Sequence, residues 1–130
     1  MFKLIDVRKF NVNLKATIQS SGRLNFTEDT ARVLGLSETT RMRFGIDDEN
    51  EDVFYLVIVP EGDDNSFKIR KSGIYHYLPG KLLFDSLGLD YKTNPIMFDL
   101  IRLPEMDEIA EGEVYKLSKK NMPRKKQKQE

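Results

Sequence analysis

Residues 22–36, Gly22-Arg23-Leu24-Asn25-Phe26-Thr27-Glu28-Asp29-Thr30-Ala31-Arg32-Val33-Leu34-Gly35-Leu36, change their period at Thr27, and that change decides how the chain is read. Leu24 and Phe26 alternate with Arg23 and Asn25, the period of two that marks a half-buried strand. Thr27 then offers a capping hydroxyl, Glu28 and Asp29 put acids in a first helical turn, Arg32 lies near the end, and Gly35 stops the helix. The spacing predicts a strand over 23–26 running straight into a two-turn helix over 27–34. Upstream, Phe10, Val12, Leu14, Ala16 and Ile18 occupy every second position, with Asn11, Asn13, Lys15 and Thr17 between them. Ser20-Ser21-Gly22 supplies turn chemistry, so a hairpin precedes the helix.

Downstream, Met42, Phe44 and Ile46 alternate with Arg41, Arg43 and Asp47, giving another strand. The self-repelling run over 47–52 makes a solvated turn, and the β-branched and aromatic run over 53–59 is closed by Pro60. The second half repeats this order. Phe67 and Ile69 alternate with Lys68 and Arg70, Lys71-Ser72-Gly73 turns, residues 74–77 return, Pro79 stands where a helix takes its first residue, and Gly88 stands where a helix stops. Ser21-Gly22 matches Ser72-Gly73 at an offset of 51, and Leu34-Gly35-Leu36 matches Leu87-Gly88-Leu89 at an offset of 53. Strands over 96–102 and 113–117 follow, joined by residues 103–112, and the polar stretch over 61–66 links the two units.

The unit carried by Gly22 to Thr27 and Leu34-Gly35-Leu36 resembles the AbrB-like swapped-hairpin family, in which Gly-Arg, three strand residues, a short Arg-containing helix and Leu-Gly-Ile or Leu-Gly-Leu follow one another. The resemblance covers residues 12–60 clearly and 66–118 more weakly, and two tandem copies look like the arrangement in MraZ proteins. It implies hairpins interleaved into one small barrel. A single unit of about 45 residues is marginal for burying a core, so paired units covering each other's apolar faces agree with that implication. Members of the family are often DNA-binding regulators whose hairpin and helix cations contact duplex DNA. Arg23 stands at the family's post-glycine arginine, and Arg32 at the second of a common Arg-Arg pair whose first member is Ala31 here. Ala16 falls where an upstream basic residue is frequent, with Lys15 adjacent. In the second unit Ile74 aligns with Arg23 and Asp85 with Arg32, and Lys68, Arg70, Lys71 and Lys81 are substitute positives. The expected DNA contacts are therefore Lys15, Arg23, Arg32, Lys68, Arg70 and Lys71.

The charge count bears on this expectation. The chain of 130 residues carries 21 Lys+Arg and 21 Asp+Glu. Residues 116–130 hold seven of the basic residues and one acid, leaving 14 basic and 20 acidic groups in the first 115. Net neutrality excludes an all-over basic coat and leaves a one-sided or tail-assisted contact. Cys is absent, so disulfides, thiolate metal sites and cysteine nucleophiles are excluded. His76, the single histidine, lacks the company that a transition-metal site or a serine triad needs. The acidic run over 47–52 is no calcium loop, because Asp52 stands at the required glycine and Ile58 at the closing Glu. No apolar run reaches membrane-span length.

The expected fold is α+β and mainly β: two tandem swapped-hairpin repeats, over 10–60 and 66–118, forming one pseudo-twofold β-barrel over 1–118 with two short helices, an extra N-terminal strand segment and a disordered basic tail over 119–130. The expected function is a DNA-binding transcriptional regulator, cytoplasmic, without cofactor, metal or catalytic residues. The rival reading is a protein-interaction or scaffold module that kept the barrel without DNA. An antitoxin is a third and weaker reading, because the tail has almost no apolar anchors. Double-stranded DNA is the expected partner, a protein partner and self-association stay open, and no membrane association is expected.

Overall fold

Thr27 is where strand turns to helix, and its side chain performs the switch. In the computed structural model, which describes residues 4, 14–60 and 64–120, its hydroxyl oxygen accepts from the Thr30 N–H at 3.2 Å and donates to Thr30 Oγ1 at 2.7 Å. Thr30, fully buried, also accepts the Lys15 backbone N–H at 2.7 Å. One hydroxyl pair thus caps the helix and satisfies a strand donor that burial would otherwise penalise. The strands on either side are β1 (Lys15–Ile18) and β2 (Arg23–Phe26), followed by α1 (Glu28–Leu34), β3 (Arg41–Ile46) and β4 (Val53–Val59). The second half adds β5 (Phe67–Lys68), β6 (Arg70–Ser72), β7 (Tyr75–Pro79), α2 (Lys81–Ser86), β8 (Ile96–Arg102), a 3₁₀ turn (Pro104–Met106), α3 (Asp107–Ala110) and β9 (Glu113–Lys119).

The nine strands among the described residues are antiparallel and ordered β5-β3-β4-β9-β8-β1-β2-β7-β6. Only Ile69 separates β5 from β6, so chain connectivity joins the two ends of that order into a nearly closed barrel. Four pairings cross between the halves of the chain: β1 with β8, β2 with β7, β3 with β5 and β4 with β9. Each half therefore supplies hydrogen-bonding partners that the other lacks. Inside, Ala16, Ile18, Leu24, Met42, Leu56, Ile69, Leu78, Phe84 and Leu117 have no exposure. Five rings cross this core in sequence, Phe98 to Phe54 to Phe44 to Phe84 to Tyr91, with centroids 5.4–6.4 Å apart.

Both longer helices end alike. The N–H of Leu36 reaches the Ala31 carbonyl behind Gly35, whose φ is 68°, and the N–H of Leu89 reaches the Phe84 carbonyl behind Gly88, whose φ is 73°. These closures place a residue in the left-handed region, where glycine has no Cβ penalty.

Several expectations are corrected. Pro79 is the last residue of β7, opposite Arg23, and does not open a helix. α2 starts at Lys81 after Gly80, which is wedged so tightly that a Cβ there would lie 2.7 Å from the Phe84 ring. Ile74 does not return on a strand; with Gly73 it forms the turn between the paired residues Ser72 and Tyr75, and it is 57% exposed. The connection over 103–112 folds into a 3₁₀ turn and α3, making three short helices where two were expected. Asp107 drives this by accepting two bonds of 2.6 Å from Arg102 and a third from the Val114 N–H at 3.1 Å. The last strand, expected over 113–117, runs on to Lys119, whose N–H donates to the Asp52 carbonyl, and the Lys120 N–H donates to that of Met97. The remaining tail, 121–130, lies outside the described residues, as do residues 61–63 of the linking stretch and, except for Leu4, the N-terminal segment through residue 13.

Leu24 and Leu78 oppose each other across the β2–β7 pairing that joins the halves. Leu24→Ala should lower the unfolding free energy by about 2–5 kcal/mol in chemical denaturation, whereas Lys68→Ala, on an exposed strand residue, should change it by less than about 0.5 kcal/mol.

Candidate nucleic-acid interface

Because Ala16, Ile18, Leu24, Phe26, Leu78 and Phe98 turn inward, the alternate residues of these strands turn outward. The register sets them in rows. Arg70 lies opposite Tyr77, Tyr77 opposite Asn25, and Asn25 opposite Thr17. Arg23 stands two residues from Asn25 on the same face, and its guanidinium lies over the Tyr77 ring, 4.2 Å from the centroid. This cation–π contact holds a long side chain that would otherwise be free to rotate. Asn25 Oδ1 is buried without a hydrogen-bond partner in the middle of that row.

Beside Arg23 the barrel opens into a cleft of about 480 Å³. Its cations are Arg23, Arg70 and Lys81, its apolar wall includes Phe67, Leu82 and Leu83, and among the described residues no acid lines it. Gly22 brings these pieces together. At φ 85° it lies in the left-handed region, and a Cβ there would sit 2.6 Å from Lys81 Cβ, so only glycine lets the first hairpin turn touch α2. Lys81 in turn bonds Asp85 at 3.0 Å, and Asp85 also accepts a hydrogen bond from the hydroxyl of Tyr91, a residue only 1% exposed. The Tyr91 bond, then the Lys81 bond, hold the Asp85 carboxyl below its ordinary range, and the Asp85 bond raises both Tyr91 and Lys81.

The six expected contacts divide accordingly. Arg23 and Arg70 meet in the cleft. Lys15 shares their outward face, roughly 14 Å from Arg23 by strand rise and spacing. Its neighbour Lys120 lowers the Lys15 pKa, against the opposing pull of Asp99. Arg32, Lys68 and Lys71 are not among the cleft's lining residues. Arg32 is on α1, bound to Asp29 at 2.8 Å. Lys68 pairs with Arg41 on β3, and Lys71 lies opposite His76, on the alternate position from Arg70. Tyr77 and Asn25 join this face without having been expected there, although the alternation of Asn25 with Leu24 and Phe26 puts it on the Arg23 side.

Chemically, two guanidinium groups and an ammonium around a concave surface offer charge-assisted donors to oxyanions, phosphate above all. Among the described residues, no group of three or more His, Cys, Asp or Glu is placed to hold a metal ion, and no helix is long and apolar enough to cross a membrane.

The depressed Asp85 carboxyl gives a pH prediction. Its contribution to stability is present above the ordinary aspartate value of about 3.9 and is lost as pH falls through its lower folded value. Asp85→Asn should therefore lower the melting temperature at pH 7, and its deficit against the parent should shrink as both are titrated from about pH 5 towards pH 2. Comparison with protein-family models, with characterised proteins and with solved structures finds no match.

Proposed function

We propose that this protein binds double-stranded DNA as a transcriptional regulator of the AbrB/MraZ-like type. The contact lies on the outward face of β1, β2, β7 and β6 and is centred on Arg23 and Arg70. The observation that carries the reading is the convergence of Arg23, Arg70 and Lys81 on one concavity. Lys15, whose pKa the neighbouring Lys120 lowers, extends the face, and a phosphate there would relieve the repulsion between these like charges.

The interleaved-repeat reading draws support from the crossed pairings and from the two helix ends closed by the same bonds 53 residues apart. A two-fold relating the halves through the Leu24–Leu78 pair makes Tyr77 the counterpart of Arg23, in place of the Ile74 that turn matching alone implies. The 53-residue offset makes Glu28 the counterpart of Lys81. A symmetric second cleft would thus lack both cations, so the contact is one-sided. The rival reading, a barrel that docks a protein, draws on Leu82, which is 85% exposed beside the same cleft.

Fluorescence anisotropy with a 30-base-pair duplex at low salt tests the proposal. Arg23→Ala with Arg70→Ala should weaken binding at least tenfold and flatten the dependence of log K on log salt by about 1.8, or about 0.9 per lost phosphate contact, while Arg32→Ala should change little. Absence of binding, or binding indifferent to the double substitution, overturns it.

A further inference from the structure

We propose that the cleft between the first hairpin turn and α2 binds a small phosphate monoester with a planar or apolar body, a ligand of mononucleotide size. The binding itself stands apart from the DNA reading; its regulatory consequence, competition for Arg23 and Arg70, rests on that reading.

Three features point to this ligand class. The first is shape. The cleft holds about 480 Å³, within the 300–1,000 Å³ range usual for small-molecule sites. The second is charge. Lys81 is ion-paired with Asp85, so the pair is close to neutral and the cleft offers the two guanidinium charges of Arg23 and Arg70. That matches a monoester phosphate, with about −1.5 to −2 at neutral pH, better than a phosphodiester with a single charge. Lys81 keeps two ammonium protons to donate after bonding Asp85. The third is the apolar wall. Phe67, Leu82 and Leu83 line the same space, and Leu82 is left 85% exposed, with no role in the core. A bound planar body would cover it.

The site is also preformed, which reduces the ordering cost of binding. Arg23 is held over Tyr77, Lys81 by Asp85, Asp85 by the buried Tyr91, and the hairpin turn is fixed against α2 by the missing Cβ of Gly22.

Adenosine 5′-monophosphate is the probe, titrated into the full chain by calorimetry and by amide chemical shifts, with adenosine and inorganic phosphate as separate arms. The expected result is saturable one-to-one binding, at least tenfold tighter than either arm. Arg70→Ala and Leu82→Ser should each weaken it at least fivefold, and Arg32→Ala should leave it unchanged. Because Leu82 is a solvent-facing side chain, its loss of affinity cannot be blamed on unfolding. Binding no tighter than that of inorganic phosphate, or binding untouched by Arg70→Ala and Leu82→Ser, overturns the proposal. A duplex titration run alongside separates the two readings. Nucleotide binding without DNA binding keeps the ligand site and removes the regulator, and DNA binding without nucleotide binding does the reverse.

Discussion

The antiparallel pairing of β2 with β7 is the constraint from which the rest of the structure follows. Leu24 and Leu78 meet there without solvent exposure, and the ladder joins residues 50 to 56 positions apart in sequence. Neither half has enough strands to finish a barrel, so each must take hydrogen-bonding and packing partners from the other. The chain of five rings makes the same connection through the core, from Phe98 on β8 to Tyr91 beyond α2 by way of two rings of the first half. The crossing also brings the first hairpin turn against the start of α2, where Gly22 and Lys81 touch. The cleft is a by-product of that contact, and Arg23, Arg70 and Lys81, from three separate elements, become neighbours through it.

What was legible in the sequence was local. The Thr27 cap and the Gly35 stop act within one turn of themselves, and the alternation of β2 and β8 is written in adjacent residues; these elements appear where expected. Pro79 misled because its signal for a helix start is weak against the β7 ladder, whose end tolerates a residue without an N–H. The turn over 73–74 differs from expectation because two matching Ser-Gly pairs imply equal hairpin loops, whereas the first loop spans four residues between its strands and the second spans two. α3 has only four residues, too few for a helical period, and owes its place to the clip between Arg102 and Asp107.

The site was half legible for the same reason. A strand's period tells which side chains point outward, and it put Lys15, Arg23 and Arg70 there. It does not tell which strands become neighbours. Lys68 and Arg70 look equivalent in sequence, yet the break at Ile69 sends one to pair with β3 and the other with β7. Lys120 lowers the pKa of Lys15 although the two are over 100 residues apart. The zero net charge likewise dissolves into places: an acidic turn over 47–52 that binds its own backbone and Tyr55, a basic end whose Lys119 reaches Asp52, and a cleft lined by Arg23, Arg70 and Lys81.

The crossed pairing can be tested directly because the chain has no cysteine. Asn25 and Tyr77 are directly opposed on the outward face of β2 and β7, and opposed antiparallel Cα atoms lie about 4.5–5.5 Å apart, within the range a disulfide spans. With Asn25→Cys and Tyr77→Cys in one chain, mild oxidation followed by mass spectrometry of the monomer reads the register. The expected result is an intramolecular disulfide linking positions 25 and 77 in monomeric protein. Free thiols, or a disulfide formed only between chains, would contradict it.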